Sequence, residues 1–307
     1  MGWKAYRLVY QAKSPIHIGW HTLGYIKLTR YYITGKNIWG AMTANIVRTL
    51  YGHEDYQDVG KLLKNDILVS YFYPAIDFQY PLLPKFQNDG LYYGTYPVSD
   101  FERLFIQSYG QTAVLPESNT AEDQSLHESD FISHYIEGED TQKHQNVYFV
   151  GYIFIHNKAN YKGQILTWEN IKRAITEIFV GGDRKYGWGR LLLETEKTKA
   201  GEVTDCKIFG NQLETKDEGL YITIAKNKHI PAHLELKTEG NFKIKGNIEP
   251  LVGLDWGTPK TSPGKIGAGQ KISHARICWM PGSAMEEDKS LKIDEFGMLT
   301  SQGVLDD

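Results

Sequence analysis

The chain has 307 residues, 41 per cent apolar and 23 per cent charged, an ordinary globular balance with room for about two domains or one with large insertions. Its 34 Lys and Arg against 37 Asp and Glu leave a formal charge of −3. That excludes a freestanding polybasic nucleic-acid binder, which needs a positive excess to displace phosphate counterions, but leaves room for a locally basic groove. Two cysteines, Cys206 and Cys278, make neither a disulfide framework nor a four-thiolate zinc site, and both read as buried thiols. Residues 1–11 lack the apolar core of a signal peptide, and no run reaches the roughly 18 apolar residues of a membrane span. A reducing, cytoplasmic protein without membrane contact is expected.

Residues 5–10 are β-branched and aromatic, end before Ser14-Pro15 and predict a strand. Past Gly19 and Gly24, Thr34-Gly35-Lys36-Asn37 opens a helical pattern. Ile38, Met42, Asn45 or Ile46, and Thr49 or Leu50 recur at spacings of three and four, and Gly52 suits a left-handed cap, so a helix is expected over about 37–51. Residues 67–73 predict a second strand closed by Pro74, and 91–96 a weaker third. From 104 to 142 there is no Lys or Arg, while Glu117, Glu122, Asp123, Glu128, Asp130, Glu137, Glu139 and Asp140 accumulate. This acidic insertion reads as a solvated loop or as a docking surface for a basic partner subunit.

Residues 147–156 predict a strong strand, and Thr167 an N-cap with Glu169 in the first turn. Ile171, Ala174, Ile175, Ile178 and Phe179 then mark one face of a helix that is expected to run into a glycine-rich loop, followed by a strand at 191–195. Two strand–helix–strand units make an α+β fold with a ferredoxin-like (RRM-like) βαββαβ core over 1–198. A polar hinge near 198–204 leads to a smaller β-rich region, 199–307, with strands at 220–225 and 275–280. The sequence leaves open whether that region is a second ferredoxin-like unit or an elaborated extension. Between those strands lie Gly253-Leu254-Asp255-Trp256-Gly257 and a Pro, Gly and Lys loop over 258–271, and 301–307 reads as a frayed tail.

The loop Gly181-Gly182-Asp183-Arg184-Lys185-Tyr186-Gly187-Trp188-Gly189-Arg190 carries the most information. Its glycines permit sharp turns and close backbone approach, and successive amides in such a turn can form an anion nest. Arg184, Lys185 and Arg190 add charge, while Tyr186 and Trp188 offer faces on which bases can stack. It is neither a Walker A loop nor a dinucleotide fingerprint, because no Gly-Lys-Ser/Thr closes it and it does not open a helix after a strand. The alternative is a tight connection whose aromatics merely pack. Lys36 and Asn37, at a helix N-terminus, suit a phosphate or an ordinary cap equally. His17 and His21 could act as acid and base in RNA cleavage, though backbone hydrogen bonding by His17 is the favoured reading. Their spacing on a glycine-rich segment is poor for zinc, and no metal or cofactor is expected. No paired carboxylates support a glycosidase.

Ser14-Pro15-Ile16-His17-Ile18-Gly19, Thr34-Gly35-Lys36-Asn37-Ile38-Trp39-Gly40-Ala41 and the loop at 181–190 together resemble the RAMP superfamily of CRISPR-associated proteins. Ile277-Cys278-Trp279-Met280-Pro281-Gly282-Ser283 resembles, over a shorter stretch, the 5′-handle-binding (Cas-five-like) subunits of type III effector complexes, a Csx-ten-like subunit among them. The resemblance implies a non-catalytic subunit that binds CRISPR RNA at its 5′ repeat-derived tag. It implies partnership with a large polymerase-type effector subunit and backbone RAMP subunits, with target RNA met indirectly. In that picture residues 181–190 grip the tag, with His17, Lys36, Asn37 and the first helix nearby. The rivals are a metal-independent endoribonuclease processing precursor CRISPR RNA through His17 or His21, and a backbone subunit cleaving target RNA through a loop aspartate such as Asp77.

Overall fold

The computed structural model describes residues 2–52, 56–123, 125–137, 144–195, 201–216, 218–236, 243–257 and 267–301. The fold is mixed α/β and strand-rich, with few helices. It opens on β1 (Trp3–Ala12), then β2 (Gly19–Leu23), β3 (Ile26–Thr29), α1 (Gly35–Ile46), α2 (Tyr56–Asn65), β4 (Ile67–Val69) and β5 (Tyr73–Ala75). The central sheet runs in the order Glu177–Phe179, Arg190–Leu193, β1, Tyr148–His156, β4, and every pairing is antiparallel. Helices α1 and α2 cross from β1 to β4, and helix Trp168–Ala174 crosses from Tyr148–His156 to the last pair of strands. β1 and Tyr148–His156 are buried almost end to end, as expected of central strands. Thr167 caps the helix at 168 in a capping box with Asn170.

An eight-stranded sheet follows. Its inner strands include Gly219–Ile224, Lys289–Ile293 and Leu299–Thr300, and it ends in the long hairpin of Ile248–Gly257 and Gly267–Trp279. One apolar core joins both parts: Phe72 and Tyr73 belong to the same buried cluster as Ile222, Leu234, Leu291 and Phe296. The turn at Glu295–Gly297 wedges beneath the first helix. A Cβ on Gly35 would stand 1.9 Å from the Phe296 carbonyl oxygen, and one on Gly297 would stand 2.2 Å from that of Val69. Only glycine admits these approaches.

Several expectations need correction. The helix expected through Phe179 ends at Ala174, and Glu177–Phe179 is a strand, so the glycine-rich loop joins two antiparallel strands. The strand expected over 67–73 breaks after Val69, because Phe72 pairs its amide and carbonyl with Ile33. Pro74 lies inside β5, which pairs with Tyr148–His156 alone, and an edge strand tolerates the missing N–H. α1 ends in a wider π turn, Val47–Tyr51, before Gly52.

The acidic stretch divides: Ile106–Gln111 pairs with His127–Ile132, where Phe131 and Ile132 are buried, whereas 112–123 is exposed, as a solvated excursion would be, and 124 and 138–142 lie outside the described residues. The expected hinge lies partly outside the described residues, and its described part is engaged with β1, since Val203 donates to the Ala5 carbonyl and Arg7 to that of Gly201. Cys278 is buried, whereas Cys206 is exposed. The expected loop at 258–271 lies outside the described residues up to 266, and the rest of it is strand. The expected tail at 301–307 lies outside them beyond 301. Among the described residues no helix is long and apolar enough to cross a membrane, and no group of three His, Cys, Asp or Glu could hold a metal ion.

Candidate nucleic-acid interface

The loop at 181–190 folds against residues 13–17. Gly182 donates to the His17 carbonyl at 2.9 Å, Gly189 to the Pro15 carbonyl at 2.8 Å, and Arg190 to Ser14 Oγ at 3.0 Å. Gly181, Gly187 and Gly189 take positive φ, as does Asp183. A Cβ on Gly181 or Gly189 would stand 2.0 Å from the carbonyl oxygens of His17 and Val180, so both glycines answer to packing within the chain. The amides of Tyr186 and Gly187 close a tight turn on Asp183 and Arg184. With these amides engaged, the loop is not the continuous anion nest its sequence suggests. It offers side chains instead.

Those side chains divide. Arg184, Lys185 and Tyr186 are exposed at the tip, with the Lys185 ammonium 5.2 Å from the Tyr186 ring centre. Trp188 is 8 per cent exposed and meets Phe131 edge-to-face at 5.0 Å, so the stacking face expected of it is covered by the chain's own core. Arg190 is exposed but ion-paired to Glu177. His17 is buried beneath Gly182, and its Nδ1 lies 2.6 Å from the Asp130 carbonyl, an arrangement that holds the ring away from solvent. His21 is exposed and rests against Trp20. Asp77 is exposed, and its carboxylate accepts from the Gln79 amide in a local turn.

A cleft of about 630 Å³ brings together His21, Lys36, Asn37, Gly181 and Arg184. Trp39 and Phe296 contribute aromatic surface, and Val252–Asp255 of the C-terminal hairpin line it too. Asn37 donates to Thr34 Oγ1 at 2.9 Å and so tightens the helix start. The Lys36 ammonium sits 4.2 Å from the Trp39 ring centre and 4.1 Å from that of Phe296, and faces Asp255 at 3.6 Å. Burial, helped by repulsion from Lys64, brings its pKa down to about 8 against the pull of Asp255 and Glu295. Lys36 is therefore no free surface cation.

Beside the cleft lies a polar cluster that sequence reasoning missed. Arg30 and Glu249 meet at 2.6 Å, Trp20 Nε1 donates to the other Glu249 oxygen at 2.7 Å, and His233 Nε2 reaches the first at 2.6 Å. Tyr71 OH completes the chain at 2.7 Å from His233 Nδ1. These bonds suit a neutral ring with its proton on Nε2. Arg30 and Glu249 are 219 positions apart, so no local pattern announces the pair.

No protein-family model matches the sequence, and no curated sequence does. Solved structures do. One matched chain comes from the cryo-EM structure of the Type III-B Cmr-beta bound to cognate target RNA, at a TM-score of 0.53 and 10 per cent identity, covering 91 per cent of this chain and 86 per cent of that one. Another is from the same assembly bound to cognate target RNA and AMPPnP, at 0.52 and 10 per cent, covering 91 and 85 per cent. The likeness is one of fold. It spans both halves of the chain.

Proposed function

We propose that this chain is a non-catalytic RNA-binding subunit of a type III CRISPR effector ribonucleoprotein, one that grips the 5′ repeat-derived tag of the guide and caps the backbone. The observation that carries the proposal is the fold shared over 91 per cent of the chain with chains of an RNA-bound Type III-B assembly. The strand order of the central sheet, with the first strand between the third and the fourth, supports the ferredoxin-like (RRM-like) part of the reading. Arg184 and Lys185 at the loop tip, with Tyr186 exposed beside them, suit phosphates and a splayed base. Neighbouring subunits would supply the rest of the affinity, which fits a net charge of −3. The burial of His17 counts against an endoribonuclease that uses it.

The test is to purify the tagged chain with its partners under native conditions and to sequence the RNA that accompanies it. RNA sharing a repeat-derived 5′ end, one copy of the chain per guide, is the expected result. RNA of random sequence, or several copies along each guide, overturns the proposal.

A further inference from the structure

Lys36 and Lys64 converge on one oxygen. Asp255 Oδ2 lies 3.6 Å from the first ammonium and 3.4 Å from the second, and Lys64 also meets Glu295 at 3.7 Å. Both ammoniums lie over the rings of Trp39 and Phe296, at 4.1 to 5.2 Å from their centres. The side chains of Lys36, Lys64 and Asp255 are each about three-quarters or more buried. Charge-assisted bonds between ammonium and carboxylate usually close to about 2.7–2.9 Å. Here the carboxylate spans two cations at longer range, accepting from Lys64 Nζ at 3.4 Å, while Lys36 Nζ, shut off from solvent, has no hydrogen-bond partner among the described residues.

Asp255 reaches this position from the hairpin strand Ile248–Gly257, a separate element from the helices that carry the lysines. The start of α1, where an anion is favoured, opens on the same cleft. A tetrahedral phosphate has more oxygens than a carboxylate and can serve both ammoniums at once.

We infer that the Lys36–Lys64 pair is a phosphate seat held by the chain's own Asp255 carboxylate, which an incoming phosphate displaces. The inference deepens the RNA-binding reading and rests on it only for the source of that phosphate. Displacement releases the Asp255 end of the hairpin strand from Lys36 and Lys64 as the seat fills.

The test uses the full chain as wild type, D255N, D255N/K64A, and the control D58N, which removes an exposed carboxylate from α2. Each is titrated calorimetrically with inorganic pyrophosphate and, separately, by fluorescence polarisation with a labelled single-stranded RNA of mixed sequence. D255N should bind roughly two- to fivefold tighter, the range of a partly exposed ion pair, D58N should match wild type, and K64A should cancel the gain. The seat is overturned if D255N matches wild type with both probes, if D58N tightens equally, or if the gain survives K64A. Tighter pyrophosphate binding with no RNA binding in any form upholds the seat for phosphate and leaves the RNA reading to be decided by the RNA that accompanies the native assembly. RNA binding indifferent to D255N, with no pyrophosphate gain, removes the seat alone.

Discussion

Trp188 lies against Phe131, ring edge to ring face at 5.0 Å, in a loop whose other aromatic, Tyr186, is 57 per cent exposed two residues earlier. One loop thus carries a packing aromatic and a presenting one. Trp188→Ala should cost about 3–5 kcal/mol of stability, as loss of a large core side chain does. Tyr186→Ala should leave stability within about 0.5 kcal/mol and weaken single-stranded RNA binding by about 1–3 kcal/mol if a base stacks there. Thermal denaturation beside RNA titration separates the two residues.

Arg184 and Arg190 should differ as well. Arg184 stands exposed at the cleft, whereas Arg190 already has Glu177 as its partner. Arg184→Ala should lower the log–log salt slope of RNA binding by about 0.7, one single-strand phosphate contact. Arg190→Ala should lower it less. Binding measured over a range of salt concentrations gives both slopes directly.

The loop glycines predict a graded series. Gly181→Ala meets both a positive φ and a carbonyl oxygen 2.0 Å from the new Cβ, while Gly187→Ala meets the positive φ with open space around it. Gly187→Ala should therefore cost about 1–2 kcal/mol, the left-handed penalty alone, and Gly181→Ala clearly more. Urea unfolding of the two variants ranks them, and equal losses would contradict the packing of the loop on His17.

The Arg30–Glu249–His233 cluster predicts both a mutational and a pH effect. Arg30→Met should destabilise by about 3–5 kcal/mol because it strands a buried carboxylate, and the Arg30→Met/Glu249→Gln pair should lose less than the sum of the single changes. Burial works to raise the Glu249 pKa, but the hydrogen bond from His233 and the Arg30 guanidinium outweigh it and hold the carboxyl at about 2, below its ordinary 4.5. Its contribution is present above about pH 4.5 and lost as pH falls toward 2. Burial also lowers the His233 pKa below 6.5, against the pull of Glu249, so protonation of the unfolded chain erodes stability further below that pH. Urea midpoints at about pH 7.5, 5.5 and 4 should fall in that order, and Glu249→Gln should flatten the lowest step.

Much of the central sheet was legible because its signals are local. The apolar runs at β1 and Tyr148–His156, the spacing in α1 and the Thr167 cap each lie within a dozen residues. Ile178 and Phe179 misled because their spacing from Ile171 and Ala174 fits a helix, while pairing with Leu191 and Arg190 made them strand. The loop was found, but not how it divides, since exposure at Tyr186 and burial at Trp188 depend on Phe131 from a distant strand. Asp255, Lys64 and the Arg30 cluster carry no spacing signal, because the fold alone brings them together.

The turn at Glu295–Gly297 has a consequence for biosynthesis. Because its backbone forms part of the seat of α1, that helix cannot finish docking until this turn, made far later in translation, has left the ribosome. Ribosome-bound nascent chains stalled before this turn should leave α1 open to protease, and chains extended well past it should protect the helix.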